Sequence, residues 1–207
     1  EDFQVTNEDV DRVDYSRFTA LVTAGTVFAA EPSRSATFRA FQNARAAGMP
    51  VIFDVDYRPY SWPSAKVASD VLSRAGAESD LIVGNDEEFG FMAGGIEKGL
   101  DKARELSAQG KLVVYKMGEK GAILLDDGRE ERAGIYPVEA IKPVGAGDSF
   151  MAGMLASIVA GYDLREAVMR GAACASIVVS KPGCAPAMPT TDQLNTFIAE
   201  HPGPTEA

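Results

Sequence analysis

Residues 51–116 read VIFDVDYRPYSWPSAKVASDVLSRAGAESDLIVGNDEEFGFMAGGIEKGLDKARELSAQGKLVVYK, and the alternation inside this stretch decides the fold. Val51-Ile52-Phe53-Asp54-Val55, Asp80-Leu81-Ile82-Val83 and Leu112-Val113-Val114-Tyr115 are short, mostly apolar runs that read as buried strands. Between the first two, Pro63 opens a helical stretch to Ala75. Between the second and third, Asp86-Glu87-Glu88 starts one helix and another spans about Ile96 to Gln109. Strand and helix in this rhythm predict an α/β fold, a mostly parallel sheet flanked by helices on both faces. Upstream, the β-rich run Phe18 to Phe28 is followed by Pro32 and a helix to Ala47 that closes at Gly48. Downstream, Ala122-Ile123-Leu124-Leu125 and Glu131 to Val138 flank Asp126-Asp127-Gly128, a hairpin signal. Helical segments then follow at about 148–160, 163–180 and 190–200. No repeat, low-complexity linker or composition shift divides the chain, so residues 1–207 are expected to form a single α/β domain.

Composition narrows the function classes. The 207 residues carry 20 basic and 30 acidic side chains, a formal charge of −10. Neither nucleic acid nor an anionic membrane suits such a surface, because both select a basic face. No apolar run approaches the length of a membrane span, and no signal peptide pattern opens the chain. Cys174 and Cys184, with no second pair, read as free structural thiols, which places the chain in the cytoplasm. Glu1 stands where an initiator Met would, and the first turn is polar and acidic, which reads as a fragment.

Chemistry is expected beyond the carboxyl ends of the strands, where open parallel sheets bind ligands. The polar residues there are Asp54-Val55-Asp56-Tyr57-Arg58, Gly84-Asn85-Asp86-Glu87-Glu88 and Lys116-Met117-Gly118-Glu119-Lys120-Gly121. A further loop, Pro143-Val144-Gly145-Ala146-Gly147-Asp148, runs directly into an apolar helix whose expected inner side is Met151, Met154, Leu155, Ile158 and Val159. Gly145 and Gly147 allow consecutive N–H groups to converge on one anion at the positive end of that helix. Asp148 reads there in two ways, as a helix N-cap or as a base that takes a proton from a hydroxyl attacking phosphate. Asn85 and Glu88 likewise read as a capping pair, as metal organisers, or as both. Arg58 suits a carboxylate or phosphate through its planar fork, or an ion pair with Asp54 or Asp56.

Taken together, Gly145-Ala146-Gly147-Asp148, Asn85-x-x-Glu88 and Lys116-x-Gly118-x-x-Gly121 resemble the PfkB/ribokinase family of carbohydrate kinases. The resemblance implies a ribokinase-like fold and phosphoryl transfer from ATP to a sugar hydroxyl. It assigns Gly145, Ala146 and Gly147 to an anion hole and Asp148 to the catalytic base. Lys116, Gly118 and Gly121, with Gly145 and Gly147, would bind ATP, while Asn85 and Glu88 would organise Mg²⁺ through water. The segment Phe53 to Trp62, with Asp56 where many members carry Asn and with Pro59, Tyr60 and Trp62 added, is similar to members acting on 5-dehydro-2-deoxygluconate in myo-inositol degradation. The segment Val179 to Pro189 is similar to the same members. Arg58, with Asp148, would then contact the sugar acid.

The resemblance also marks departures. Lys142-Pro143 stands where many members carry Asp-Thr, which leaves a monovalent-cation requirement in question. Ala172 stands where an Asn is common, so adenine recognition is unassigned. His201, the one histidine, receives no chemistry. The resemblance covers the later two-thirds of such a kinase, so the first strands, the β lid and most sugar contacts are expected outside this chain. Competing readings are a 2-keto-3-deoxygluconate kinase or another sugar kinase of the family, and a non-catalytic nucleotide or sugar-phosphate binding module, compatible with a homo-oligomer. A dinucleotide-dependent dehydrogenase is disfavoured, since no Gly-x-Gly-x-x-Gly follows an early strand.

Overall fold

The computed structural model describes residues 2–142, 144–201 and 203. Six strands form one sheet in the order β1-β2-β3-β4-β5-β6: Leu21–Ala24, Val51–Asp54, Leu81–Asn85, Leu112–Lys116, Ala122–Asp126 and Arg129–Ala133. The first four are parallel, with Val22 opposite Ile52, Phe53 opposite Ile82 and Asn85 opposite Lys116. Between them lie helices α2 (Ser33–Ala46), α3 (Ala65–Ala77), and α4 (Asp86–Ala93) with α5 (Gly99–Ala108), preceded by α1 (Asn7–Asp11). The mostly parallel α/β architecture expected from the apolar runs is present.

Residue chemistry explains most element ends. Ser64, one residue after Pro63, caps α3 by accepting the Val67 N–H at 3.2 Å. The two residues joining β5 to β6, Asp127 and Gly128, both have positive φ, +46° and +76°. That combination is the primed turn whose twist matches a two-residue hairpin. The Phe18–Phe28 run is not one long strand. Its ladder stops at Ala24 and the chain closes into a 3₁₀ turn, Gly25–Phe28. The reason is tertiary: a Cβ on Gly25 would lie 1.9 Å from the Val55 carbonyl oxygen, so the backbone is seated against the exit of β2. The turn delivers Phe28 into a cluster with Phe38, Phe41 and Phe53 at centroid separations of 4.9, 5.8 and 5.9 Å. Such tilted and edge-on pairs contribute roughly 0.5–1.5 kcal/mol each beyond their buried area.

The chain separates into two compact units: Glu1–Lys116 with Leu124–Glu130, and Met117–Ile123 with Glu131–Ala207. The second contains α6 (Ala146–Val159), α7 (Leu164–Val179) and α8 (Thr191–Glu200). Helices α6 and α7 approach closely at glycines. A Cβ on Gly153 would come within 2.5 Å of Cys174 Sγ, and one on Gly171 within 2.7 Å of the Phe150 carbonyl. This contact sets the rotation of α6. Phe150, Met151, Met154 and Ser157 are buried, whereas Ile158 and Val159, expected on the inner side, are exposed. Arg170 of α7 is buried, donating to Ser157 Oγ at 3.0 Å and Asn195 Oδ1 at 2.8 Å over the Tyr162 ring. Among the described residues, no helix is long and apolar enough to cross a membrane.

Candidate active site

In the first unit, three parallel strands deliver their polar ends side by side. After Asp54 the ladder continues for one bond, Val55 N–H to the Val83 carbonyl at 2.9 Å. Asp56 then turns the chain with a φ of +33°, a region Asp tolerates better than most residues. Tyr57 is buried against Phe91 with centroids 4.1 Å apart. Arg58 donates from Nη2 to Asp56 Oδ1 at 2.7 Å, so the ion pair expected as its alternative role exists. Its side chain is nonetheless 50% exposed, and a guanidinium has five N–H donors to offer. Trp62 is 8% exposed, with the Arg34 guanidinium 5.8 Å from its ring centre; its buried Nε1 has no protein acceptor among the described residues.

Asn85 ends β3 and caps α4. Its Oδ1 accepts the Glu88 N–H at 2.9 Å, and its own N–H donates to Glu88 Oε2 at 2.7 Å, a reciprocal capping box. The local role expected of this pair is therefore real. Glu88 is buried within it, and burial pushes its carboxyl pKa above the ordinary value. Lys116 opposes that rise, as do the N–H groups of Asn85 and Tyr57, while Asp56 adds to it. Glu88 thus faces Lys116 and Asp56 from neighbouring strand ends. The sign for stability follows from the raised pKa: the native state holds this proton more tightly than the unfolded state, so Glu88 favours folding below the ordinary carboxylate range. That advantage is lost as pH rises through its native pKa. Glu88→Gln, which keeps a capping residue, should therefore gain melting temperature relative to wild type as pH rises from the ordinary carboxylate range through the raised native pKa of Glu88. A difference that stays flat or narrows in thermal melts would contradict this.

Among the described residues, no group of three or more His, Cys, Asp and Glu side chains is placed to hold a metal directly. The donors at these strand ends, Asp56, Glu88 and the Asn85 amide, are hard oxygen ligands. Magnesium prefers such ligands and keeps several of its waters, so the residues fit a water-mediated site rather than an all-protein cage.

In the second unit, the Met117 N–H donates to the Gly121 carbonyl at 2.7 Å and folds the Lys116-to-Gly121 loop back on itself. Gly121 adopts φ +78°, ψ −143°, and a Cβ there would lie 2.2 Å from the Ala133 carbonyl oxygen. Gly145 is the N-cap of α6, in the left-handed region at φ +87°, and, being glycine, it makes no side-chain cap bond. The helix bonding begins with Ser149 N–H to the Gly145 carbonyl at 3.0 Å. Helix geometry then leaves the N–H groups of Ala146, Gly147 and Asp148 without partners inside the helix. Asp148 is thus not the cap; it is the third residue of the helix, exposed, beside those donors. Ahead of the loop, the Ile141 and Lys142 N–H groups both donate to the Val179 carbonyl, at 2.8 and 3.1 Å. Pro143 lies outside the described residues.

The structure thus groups Arg58, Asn85, Glu88 and Lys116 in one unit, and Gly118, Gly121 and Gly145 to Asp148 belong to the other. Two contributors were not singled out by sequence. Tyr57 supplies a backbone donor to Glu88, and Cys184 packs against Gly145. A Cβ on Gly145 would lie 2.5 Å from Cys184 Sγ, a proximity that no sequence signal encodes. His201 bonds the Phe197 carbonyl through Nδ1 at 2.8 Å and stacks on that ring.

Comparison with known proteins identifies relatives of the chain. The chain is 38% identical over 203 residues to the 5-dehydro-2-deoxygluconokinase of Photobacterium profundum, a match covering 95% of this chain and 61% of that protein. It is 39% identical over 185 residues to that of Bacillus anthracis, covering 86% and 56%. The chain therefore spans roughly three-fifths of the length of these curated relatives. Among solved structures, aminoimidazole riboside kinase from Salmonella enterica, complexed with aminoimidazole riboside and an ATP analog, superposes with a TM-score of 0.84 at 24% identity, covering 96% of this chain and 68% of that one. Fructokinase from Vibrio cholerae, in a fructose-, ADP- and calcium-bound form, gives 0.78 at 26%, covering 89% and 64%. The pattern of the pfkB family carbohydrate kinases matches residues 1–191, and the chain belongs to that family.

Proposed function

We propose that the protein phosphorylates the terminal hydroxyl of 5-dehydro-2-deoxygluconate with ATP, in the cytoplasm. The observation that carries this reading is the start of α6: an N-cap glycine that makes no side-chain cap bond, with an exposed carboxylate in the same turn. The choice of substrate is supported by the relatives named 5-dehydro-2-deoxygluconokinase.

Phosphoryl transfer spreads negative charge over the equatorial oxygens, so catalysis is mostly positioning and charge stabilisation. In this reading the N–H groups of Gly145, Ala146 and Gly147 stabilise that charge, helped by the α6 dipole. Asp148 accepts the proton of the attacking hydroxyl. Lys116 meets the nucleotide phosphates, and the loop with Gly118 and Gly121 accommodates the nucleotide. Arg58 pairs with the carboxylate of the sugar acid, exchanging or sharing its Asp56 partner. Mg²⁺, when bound, supplies charge neutralisation on the phosphates, with Asn85 and Glu88 holding its water shell.

The test is a side-by-side assay of the intact gene product with ATP and either 5-dehydro-2-deoxygluconate or 2-keto-3-deoxygluconate. The first acid should give a kcat/KM at least about tenfold higher, the discrimination that about 1.4 kcal/mol of transition-state binding provides. A preference for the second would transfer the assignment to that acid. Nucleotide binding without turnover on either would favour a binding module.

A further inference from the structure

We infer that Cys184 is a positioning residue for phosphoryl transfer, its thiol being the wall against which Gly145 is seated, so that it fixes where the N–H groups at the start of α6 point. The inference rests on the reading of Gly145 to Asp148 as the phosphate loop.

Its basis is the packing around one backbone position. Gly145 sits at φ +87°, ψ 0°. A Cβ built there would lie 2.5 Å from Cys184 Sγ, 3.6 Å from Cys184 Cβ and 3.5 Å from Val178 Cγ1. The thiol therefore occupies the space that any side chain at position 145 would need. Cys184 is itself held by a tight local frame. Gly183 precedes it at φ +97°, and the Ala187 N–H donates to the Cys184 carbonyl at 3.0 Å, closing the 3₁₀ turn Ala185–Ala187. Upstream, the Ile141 and Lys142 N–H groups both donate to the Val179 carbonyl. Backbone hydrogen bonds thus hold Ile141 and Lys142, while the thiol abuts Gly145 itself. With no side-chain cap bond from Gly145, this packing takes over the orienting task that a capping hydroxyl or carboxylate performs elsewhere.

The two cysteines of the chain are in different situations. Cys174 is buried against Gly153 between α6 and α7, where burial pushes its thiol up to about 11. Cys184 is partly exposed. A thiol reagent therefore selects Cys184, since the thiol of Cys174 is buried and resists ionisation.

The experiment uses the intact gene product. Cys184→Ser, nearly isosteric, should keep kcat within about twofold of wild type. Cys184→Leu, which pushes on Gly145, should lower kcat about 100-fold, the effect expected of misplacing a reacting group by about 1 Å, while KM for ATP stays within about threefold. Should the Leu variant not fold, the same readout comes from folded wild type alkylated with N-ethylmaleimide. Mass spectrometry locates the adduct on the Cys184 peptide, kcat falls to the same extent, and the Cys184→Ser protein resists. Overturning results are a kcat within about threefold of wild type in the Leu variant or in the Cys184 adduct, or a loss expressed mainly as weakened ATP binding. Unimpaired turnover in Asp148→Asn would instead remove the base assignment within the phosphate-loop reading, so the two failures are distinguishable.

Discussion

Replacing Asp148 by Asn is expected to lower kcat about a thousandfold, within the range a positioned general base contributes, while nucleotide binding is retained. Asp148 is exposed at the third position of α6, beside the N–H groups it would compete for if it were the cap, and the cap is Gly145. Asn has the same shape and leaves Gly145, the helix hydrogen bonds and the Ser149-to-Ala146 side-chain bond in place. The charge is lost, and with it the ability to accept a proton. Removing a carboxylate from the first turn costs a few tenths of a kcal/mol of helix stability at an exposed site, too little to unfold the domain. Nucleotide affinity should hold or tighten, since one negative charge near the phosphates is gone. Steady-state rates with calorimetric titration of a non-hydrolysable ATP analogue check both halves. Turnover within about tenfold of wild type would remove Asp148 from the role of base.

Gly145→Ala is expected to cost about 100-fold in kcat. Two penalties coincide there. A residue with a Cβ pays roughly 1–2 kcal/mol to adopt the left-handed conformation that the φ of +87° demands. The new methyl would also meet Cys184 Sγ at 2.5 Å, closer than non-bonded atoms approach, so the loop must move. Movement redirects the N–H groups, and losing one well-placed donor to a developing anion costs about 10² to 10³ in rate. Adding Cys184→Ala should return part of the loss by clearing the overlap while leaving the conformational penalty. Comparison of kcat in the single and double variants, with circular dichroism to confirm folding, separates the two contributions. A Gly145→Ala protein with wild-type kcat would show that the loop tolerates displacement.

Much of the architecture was legible because local and tertiary preferences agree. The runs at 51–55, 80–83 and 112–115 form strands β2, β3 and β4 nearly where their apolar character places them. Asp127-Gly128 makes the hairpin its dipeptide predicts. Legibility failed where one contact decides. The Phe18–Phe28 run breaks at Gly25 because the Val55 carbonyl fills the space of a side chain, a neighbour 30 residues away in sequence. The strand expected over Glu131 to Val138 instead spans Arg129–Ala133, ending before Gly134, and Pro137 beyond it has no N–H to extend a ladder. The inner side of α6 is rotated away from Ile158 and Val159 because the Gly153 and Gly171 contacts fix how α7 lies on it.

The same division holds for the candidate site. The Asn85-x-x-Glu88 spacing announces a capping box, and the structure contains one. What spacing could not reveal is that Glu88 would be buried and would face Lys116 and Asp56 from adjacent strand ends. Arg58 and Asp56 are near in sequence, so their ion pair was foreseeable. Cys184 reads from sequence as a structural thiol; it lies 39 positions from Gly145, and only folding brings Sγ onto that backbone.

The central claim is that the acid in the α6 turn activates a sugar-acid hydroxyl toward ATP. Its most direct test is ³¹P NMR of the intact gene product incubated with ATP, Mg²⁺ and 5-dehydro-2-deoxygluconate. A new phosphomonoester resonance coupled to methylene protons, the signature of a phosphorylated terminal hydroxyl, is expected, and is expected to be absent with Asp148→Asn. Release of inorganic phosphate alone, or an ester formed equally well by the Asn variant, would contradict it.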